Sequence, residues 1–381
     1  MNIHILGVGS VGSLFAFHLK RALNSSPSLP AAAPAHICLH LSEKQRKARC
    51  DRSEPLSIKV ERDGAVDHQD GFEIARSDSP IDILVIALKA DITLSAMEPL
   101  VPRLCARPTP GTLVLLQNGV GQDEAIVKRF FASDPAAKPY IILGSNTHGT
   151  WRKEHLKVVH AAKGTMHFGL SRVQDDRISS QVEQHLLTTM EYPPCLHSAA
   201  STTSADDPYK TVQSAICMLS LPYMCSSLAI YLEGSRDFAM RSLRKLVANC
   251  VLNPLTALEE CKNGELLERG HIRDKVPVIV RECANVLQAR MQQQGQQGQE
   301  PLQQLSYSAL LQHVRDVIEL TALNWSSMVQ DIHSARGSTE IDFLNGTIAR
   351  WGEQMGIATP CNRDLVQSIK AKADRLANRS S

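Results

Sequence analysis

The chain has 381 residues, 43% of them hydrophobic, so two domains with sizeable cores are expected rather than one. Its 41 basic and 39 acidic residues leave a net charge of +2, which gives no electrostatic reason to expect nucleic acid or a membrane surface as partner. Ten cysteines are scattered without a CxxC pair, which argues against zinc, or any other metal, and for a reducing compartment.

The first half alternates short apolar runs with helical stretches. Ile3–Leu6 predicts a strand with no targeting segment before it, which makes the cytoplasm the expected address. The segment Gly7-Val8-Gly9-Ser10-Val11-Gly12 follows directly, and a helix is expected over Ser13–Leu23. Further strands are expected at His36–Leu41, Ile83–Leu88, Thr112–Leu116 and Tyr140–Leu143, with Leu228–Leu232 as an additional strand closing the domain. Leucine-rich and β-branched runs of this length suit buried parallel strands. Alternating with helices, they predict an α/β N-terminal domain, a Rossmann-type doubly wound sheet over residues 1–235. Two segments read as inserted surface loops: Asn24–Pro34, rich in Ser, Pro and Ala, and Ser171–Pro208, with Pro193-Pro194 and the polar run Ser198–Asp207. The longest apolar stretch, Cys217–Leu232, is interrupted by Pro222 and serines and is too polar to span a membrane.

Gly7–Gly12 fits G-x-G-x-x-G in the place where the motif has physical meaning, between a strand and a helix. The first glycine permits a tight turn, the second lets a pyrophosphate approach the backbone, and the third lets helix and strand pack closely. The helix start adds free N–H groups and a positive dipole end. An ordinary tight turn is the alternative; the position after a strand favours the dinucleotide. Beyond the second strand, an acid would hold a ribose 2′-hydroxyl and basic groups would accommodate a 2′-phosphate. Ser42 occupies that tip, followed by Glu43 and the cations Lys44, Arg46 and Lys47. NADPH is favoured, with Glu43 the residue that speaks for NAD.

Past a boundary near Gly234–Asp237 the chain reads as helix throughout, an all-α domain over residues 236–381. One apolar stripe is Val276, Ile279, Val280, Cys283 and Leu287; others are Ile341, Leu344, Ile348, Trp351 and Leu365, Ile369, Leu376. The tract Gln292–Gln299 is a solvated break between helices. Lys245, Asn249 and Asn253 are spaced i, i+4, i+8 and share one helix face among apolar neighbours. Buried polar groups need partners and asparagine is a poor helix former, so the row is a structural hydrogen-bonded stripe, a wet face or a site. Pro254 cannot donate to the Cys250 carbonyl and is expected to kink or end the helix. Ketone reduction needs a hydride on carbon and a proton on oxygen; a nicotinamide supplies the first and a protonated lysine the second. Lysine ordinarily titrates near ~10.4 and so is charged as required.

Lys245–Leu258, reading KLVANCVLNPLTAL, with Lys262-Asn263-Gly264-Glu265-Leu266 after it, resembles the hallmark segment of the ketopantoate reductases (2-dehydropantoate 2-reductases). Blocks in the same order extend the resemblance over almost the whole chain: Gly7–Gly12, Leu88-Lys89-Ala90, Gln117–Gly121, Thr147-His148-Gly149, His160–Gly164, Ser326–Asp331 and Thr339–Gly346. The resemblance implies Lys245 as proton donor and Asn118 as a residue touching both cofactor and substrate. It implies that Asn249, Asn253 and Asn263 line the substrate pocket, that Ser327 bonds the substrate carboxylate, and that Glu340 sits near the cofactor and orients the reacting groups. Lys89 and Thr150 fall where the family contacts the dinucleotide. Each has a plainer reading: Asn118-Gly119 as a turn, Ser327 as helix surface, Lys89 as a solvated charge, Thr339-Glu340 as a helix cap. His148 and His160 are expected to serve structural hydrogen bonding. The family often has Trp where this chain has Leu243, a difference that bears on packing rather than chemistry.

The implied activity is NADPH-dependent reduction of 2-dehydropantoate to (R)-pantoate, a step of pantothenate and coenzyme A synthesis. The alternatives are a reductase of the same architecture for another 2-keto acid, and a non-catalytic dinucleotide-binding protein. Lys245, Asn118 and Glu340 together speak against the latter. A small 2-keto acid is the expected partner; the residues leave the oligomeric state open, a homodimer included.

Overall fold

The computed structural model describes residues 1–25, 35–50, 55–76, 78–106, 110–173, 184, 210–293, 299–333 and 339–380. The chain falls into two compact units, Met1–Phe238 and Ala239–Ser381.

The first unit contains the strands β1 (Asn2–Leu6), β2 (His36–His40), β3 (Ile58–Arg62), β4 (Ala65–Gln69), β5 (Glu73–Ile74), β6 (Ile83–Ile86), β7 (Thr112–Leu115), β8 (Tyr140–Asn146), β9 (Gly149–Glu154), β10 (Lys157–Ala162), β11 (Met166–Leu170) and β12 (Ile230–Leu232). Its helices are α1 (Ser10–Ser25), α2 (Glu43–Cys50), α3 (Thr93–Met97), α4 (Val101–Leu104), α5 (Gln122–Phe130), α6 (Lys210–Leu219) and α7 (Pro222–Leu228). The larger sheet has the order β12-β11-β8-β7-β6-β1-β2-β5, parallel except for the β8–β11 pair. After β1 the chain builds β2 on one side, then returns to build β6 on the other. Strand order therefore reverses at β1, the point where such sheets bind ligands beyond their carboxyl ends. Burial on both faces explains the unbroken apolar runs. In β6, Ile83 and Val85 join a core with Ile3, Ile5, Leu14 and Phe15, whereas Leu84 and Ile86 join the opposite core with Met97, Leu113 and Leu115.

A second sheet, β4-β3-β10-β9, is absent from the sequence expectations. Its β3–β4 hairpin turns through Asp63 at φ +50° and Gly64 at φ +80°, the left-handed pair that a two-residue type I′ turn demands. Several boundaries also move. The first helix starts at Ser10, inside the glycine motif, and takes in Asn24 and Ser25; residues 26–34 lie outside the described residues. Leu228 ends α7, so the closing strand is only Ile230–Leu232. Ser171 is buried, its hydroxyl donating to the Asp123 carboxylate at 2.5 Å, so it is not part of a surface loop. Of residues 174–208 only 184 is described.

The second unit is helical, as expected, with α8 (Ser235–Glu259) leading into it, then α9 (Glu265–Glu268), α10 (Gly270–Arg273), α11 (Lys275–Gln293), α12 (Gln299–Gln304), α13 (Tyr307–Leu320), α14 (Ser327–His333), α15 (Asn345–Gln354) and α16 (Pro360–Ser380). The predicted stripe Val276, Ile279, Val280, Cys283 and Leu287 is buried, as are Ile348, Leu365 and Ile369. Pro254 does not end α8, which continues to Glu259. The carbonyl that the proline deprives of its helical partner, that of Cys250, accepts the Asn345 side-chain amide at 2.9 Å instead. Gln292 and Gln293 still belong to α11 and Gln299 opens α12; 294–298 lie outside the described residues. Among the described residues no helix is long and apolar enough to cross a membrane.

Candidate active site

The glycine loop has the spatial logic of a dinucleotide cradle. Gly7 sits at φ +106°, and a Cβ there would stand 2.7 Å from the Ala87 carbonyl carbon. A Cβ at Gly12 would stand 2.0 Å from the Gly7 oxygen. Both glycines are therefore required to close the turn against the end of β6. A Cβ at Gly9 meets nothing within 4 Å, so its missing side chain leaves open space beside the backbone. Gly9 also accepts the Ser13 N–H at 3.0 Å, which starts α1 directly behind that space. Val8 is buried; Ser10 and Val11 are half-buried at the helix start. These residues fit the pyrophosphate of a nicotinamide dinucleotide.

Adjacent loops complete this edge. Lys89, half-buried, ends the segment after β6 and its carbonyl accepts the Thr93 hydroxyl at 3.0 Å. Gln117, a residue the sequence reading passed over within its own block, donates its amide to the Leu88 carbonyl at 2.8 Å and to the Thr93 hydroxyl. It thereby ties the loop after β7 to the loop after β6, and Asn118 follows it, half-buried, before the left-handed Gly119 and Gly121. At the tip of β2 the Arg46 guanidinium is fixed by the Leu41 carbonyl at 3.3 Å and the Ala75 carbonyl at 3.0 Å. Glu43 is paired with Lys47 at 2.8 Å. Ser42 caps α2. Thr150 stands apart from these loops in element: it lies in β9 of the smaller sheet, opposite His160.

His148 and His160 form a buried pair, Nδ1 to Nε2 at 2.9 Å. The His148 Nδ1 also receives the Gly164 N–H at 3.0 Å, so it is an acceptor, and its Nε2 faces the Leu228 carbonyl at 2.9 Å and is the donor. Burial holds His160 down to about 4 and keeps His148 below its ordinary value. Two neutral rings spent on each other and on backbone are structural, as the sequence suggested.

In the second unit the polar row on α8 meets two other segments. Burial pushes the Lys245 ammonium down from 10.5 to about 8, and the Glu340 carboxylate acts in the opposite sense. Glu340 opens a short 3-10 turn, Glu340–Phe343; Thr339 makes no side-chain cap there, so capping does not explain this pair. One turn along α8, Asn249 is half-buried and its side chain makes no hydrogen bond to another described residue. A further turn on, Asn253 is 6% exposed and its amide reaches the Ser327 hydroxyl at 3.5 Å. Ser327 is exposed at the start of α14, whose cap is the preceding serine: the Ser326 hydroxyl accepts the Val329 N–H at 3.3 Å and lies 2.7 Å from the Thr256 hydroxyl of α8. Asn263 is buried; its amide donates to the Thr321 hydroxyl at 2.8 Å, and its Oδ1 has no partner among the described residues. Lys245, Asn249 and Asn253 thus share one face of α8, the Asn253 amide reaches Ser327, the Glu340 carboxylate acts on Lys245, and Asn263 lies on the turn that follows the helix. Thr256, Ser326 and Thr321, which hold those segments together, were missed. Their only sequence signal is their place inside or beside the recognised blocks.

Residues 3–172 match the family model described as ketopantoate reductase PanE/ApbA, and residues 237–373 match that of the ketopantoate reductase PanE/ApbA C terminal. A 2-dehydropantoate 2-reductase of Vibrio cholerae serotype O1 is 29% identical over 372 residues, covering 97% of each chain. A 2-dehydropantoate 2-reductase of Yersinia pestis is 30% identical over 293 residues, 76% of this chain and 74% of that one. Among solved structures, D-mandelate dehydrogenase in a ternary complex with NADH and anilino(oxo)acetate shares the fold, with a TM-score of 0.66 at 19% identity over 99% of both chains.

Proposed function

This chain belongs to the ketopantoate reductase family, and from that premise we propose that it reduces 2-dehydropantoate to (R)-pantoate with NADPH, in pantothenate and coenzyme A synthesis. The observation that carries the reading is Lys245, a lysine pushed to about 8 beside the Glu340 carboxylate, on a helix face shared with Asn249 and Asn253. Bound NADPH would supply the hydride to the carbonyl carbon. Lys245 holds the proton for the carbonyl oxygen, and its charge stabilises the alkoxide as it develops. A pKa of about 8 keeps the group protonated at neutral pH while making it a stronger acid than a solvated lysine. Glu340 favours the charged form and orients it.

The uncommitted Asn249 amide, the Asn253–Ser327 pair and the Asn263 Oδ1 would hold the substrate carboxylate and hydroxyl without adding charge. Residues 1–235 would form the dinucleotide domain, with Gly7–Gly12, Lys89, Asn118 and Thr150 as cofactor contacts and Ser42 beside them, and residues 236–381 the substrate domain. The anchored Arg46 supports the 2′-phosphate of NADPH.

A second reading is a reductase for another 2-keto acid using NADH, favoured by the shared fold with D-mandelate dehydrogenase in its NADH complex. The test follows the absorbance of NADPH and NADH with 2-dehydropantoate and a panel of 2-keto acids. Oxidation selective for NADPH and 2-dehydropantoate is expected. Faster turnover of another keto acid moves the assignment to the second reading; no oxidation of either nucleotide removes both.

A further inference from the structure

Pro254 breaks the hydrogen-bond ladder of α8 between Lys245 and the end of the helix, and the Cys250 carbonyl is the group left over. Its replacement partner is fixed in orientation by a relay. Glu282, a buried residue of α11, accepts the backbone N–H groups of Cys361 at 2.9 Å and Asn362 at 3.0 Å with its carboxylate. The same carboxylate accepts the Asn362 side-chain amide at 2.7 Å. That forces the Asn362 Oδ1 toward Asn345, where it accepts the Asn345 amide at 2.9 Å. Asn345 can then present only its NH2 to Cys250, also at 2.9 Å. Both Asn345 amide protons are used, the residue is wholly buried, and no rotation of its amide preserves the relay.

The two ends of this link have a common feature. Cys250 lies five residues after Lys245, and Asn345 lies five residues after Glu340. The Asn345–Cys250 bond therefore pins the segment that carries the carboxylate to the helix that carries the lysine. We infer that Asn345 is a positioning residue for the proposed reduction, setting the register of Glu340 against Lys245 through the carbonyl that Pro254 leaves open. The inference rests on the proposed roles of Lys245 and Glu340; its physical content, the placement of one charge beside the other, is measurable without turnover.

The test is competitive acetylation of the full-length protein across pH, read by mass spectrometry at the peptide carrying Lys245. Asn345→Ala is expected to loosen the pair and move the Lys245 titration down by about one unit, because an opposing charge is what holds it up. In the kinetic assay kcat is expected to fall about tenfold with KM near the wild-type value. Adding Pro254→Ala gives the Cys250 carbonyl a backbone donor without restoring the link to the Glu340 segment, so it is expected to recover the melting temperature while the Lys245 titration and kcat stay displaced. A purely structural role would lower the melting temperature and leave the titration in place. A folded Asn345→Ala with unmoved Lys245, or a Lys245 titration that returns to wild type in the double variant, overturns the inference. If the single variant does not fold, the Pro254→Ala/Asn345→Ala protein decides, and an unmoved Lys245 titration there overturns it. A wild type that fails to reduce any 2-keto acid sinks the proposed function instead, and leaves the labelling readout intact.

Discussion

The Ser42 hydroxyl accepts the Gln45 backbone N–H at 3.3 Å, while the Gln45 side-chain oxygen accepts the Ser42 N–H at 2.8 Å. This reciprocal capping box starts α2 at the point where a dinucleotide-binding sheet reads the ribose. The serine is thereby committed to the helix, and the Arg46 guanidinium, held by Leu41 and Ala75, is left as the anchored cation of that tip. Ser42→Ala should cost about 1 kcal/mol of stability and leave the NADPH to NADH ratio of kcat/KM nearly unchanged. Arg46→Ala should lower that ratio about tenfold or more, the scale of one charge-assisted hydrogen bond. Steady-state kinetics with both nucleotides checks this; an unchanged ratio in Arg46→Ala would mean that a 2′-phosphate is read elsewhere.

The depressed Lys245 pKa makes a signed prediction. The proton donor is competent when protonated, so kcat/KM for the keto acid should be level below pH 8 and fall about tenfold per unit above it. A solvated lysine would place that limb near ~10.4. Lys245→Ala should lower kcat by about 10² to 10⁴ while dinucleotide binding, followed by fluorescence titration, is kept. Turnover close to wild type in that variant would remove the lysine from the chemistry.

What the sequence revealed and what it concealed follow from the range of the interactions. The strands β6 and β7 are buried on both faces, so β6 appears as an unbroken apolar run and β7 as one broken only by its first residue, Thr112, while β1 keeps the pattern apart from Asn2 and the buried His4. The smaller sheet is half-solvated: β4 reads Ala-Val-Asp-His-Gln and is nearly all exposed, and the Asp63-Gly64 dipeptide, the local signal of its hairpin, was passed over. The Lys245, Asn249, Asn253 row was legible because helical spacing is local. The groups that hold it in place were not, because Asn345 meets Cys250 across 95 residues of sequence and Asn362 meets Glu282 across 80. Pro254 exposed half of the first contact: it showed which carbonyl lacked a partner, though not which side chain supplied one.

The buried histidine pair makes the fold sensitive to acid. His160 is held down to about 4, His148 lies below its ordinary value, and the nearby His18 is held down to about 3, chiefly by burial. An unfolded histidine titrates near ~6.5, so below that pH the unfolded chain binds protons that the folded chain refuses. Stability should therefore be fully present above pH 6.5 and decline as pH falls from there toward 4. His160→Gln can still donate to the His148 ring and removes one such group. Urea midpoints between pH 7.5 and 5 should fall less steeply in the variant than in the wild type; parallel curves would show that the pair does not carry the dependence.

Gly264 is glycine for space rather than for its backbone angles. Its φ of −62° and ψ of −31° are open to any residue, but a Cβ would stand 2.8 Å from the Ala322 Cβ. That proximity comes from two backbone hydrogen bonds, Gly264 N–H to the Ala322 carbonyl at 3.0 Å and Asn263 N–H to the Asn324 carbonyl at 3.0 Å. They hold the turn bearing Asn263 against the loop that leads into Ser326 and Ser327. Gly264→Ala should force the two segments apart, at about 1 to 3 kcal/mol of stability, and should raise KM for the keto acid while KM for the nucleotide stays put. Ala322→Gly vacates the position that the new methyl would occupy. Combined with Gly264→Ala it should recover both the melting temperature and the keto-acid KM. Recovery of the melting temperature alone would show that the turn supports the fold without shaping the pocket.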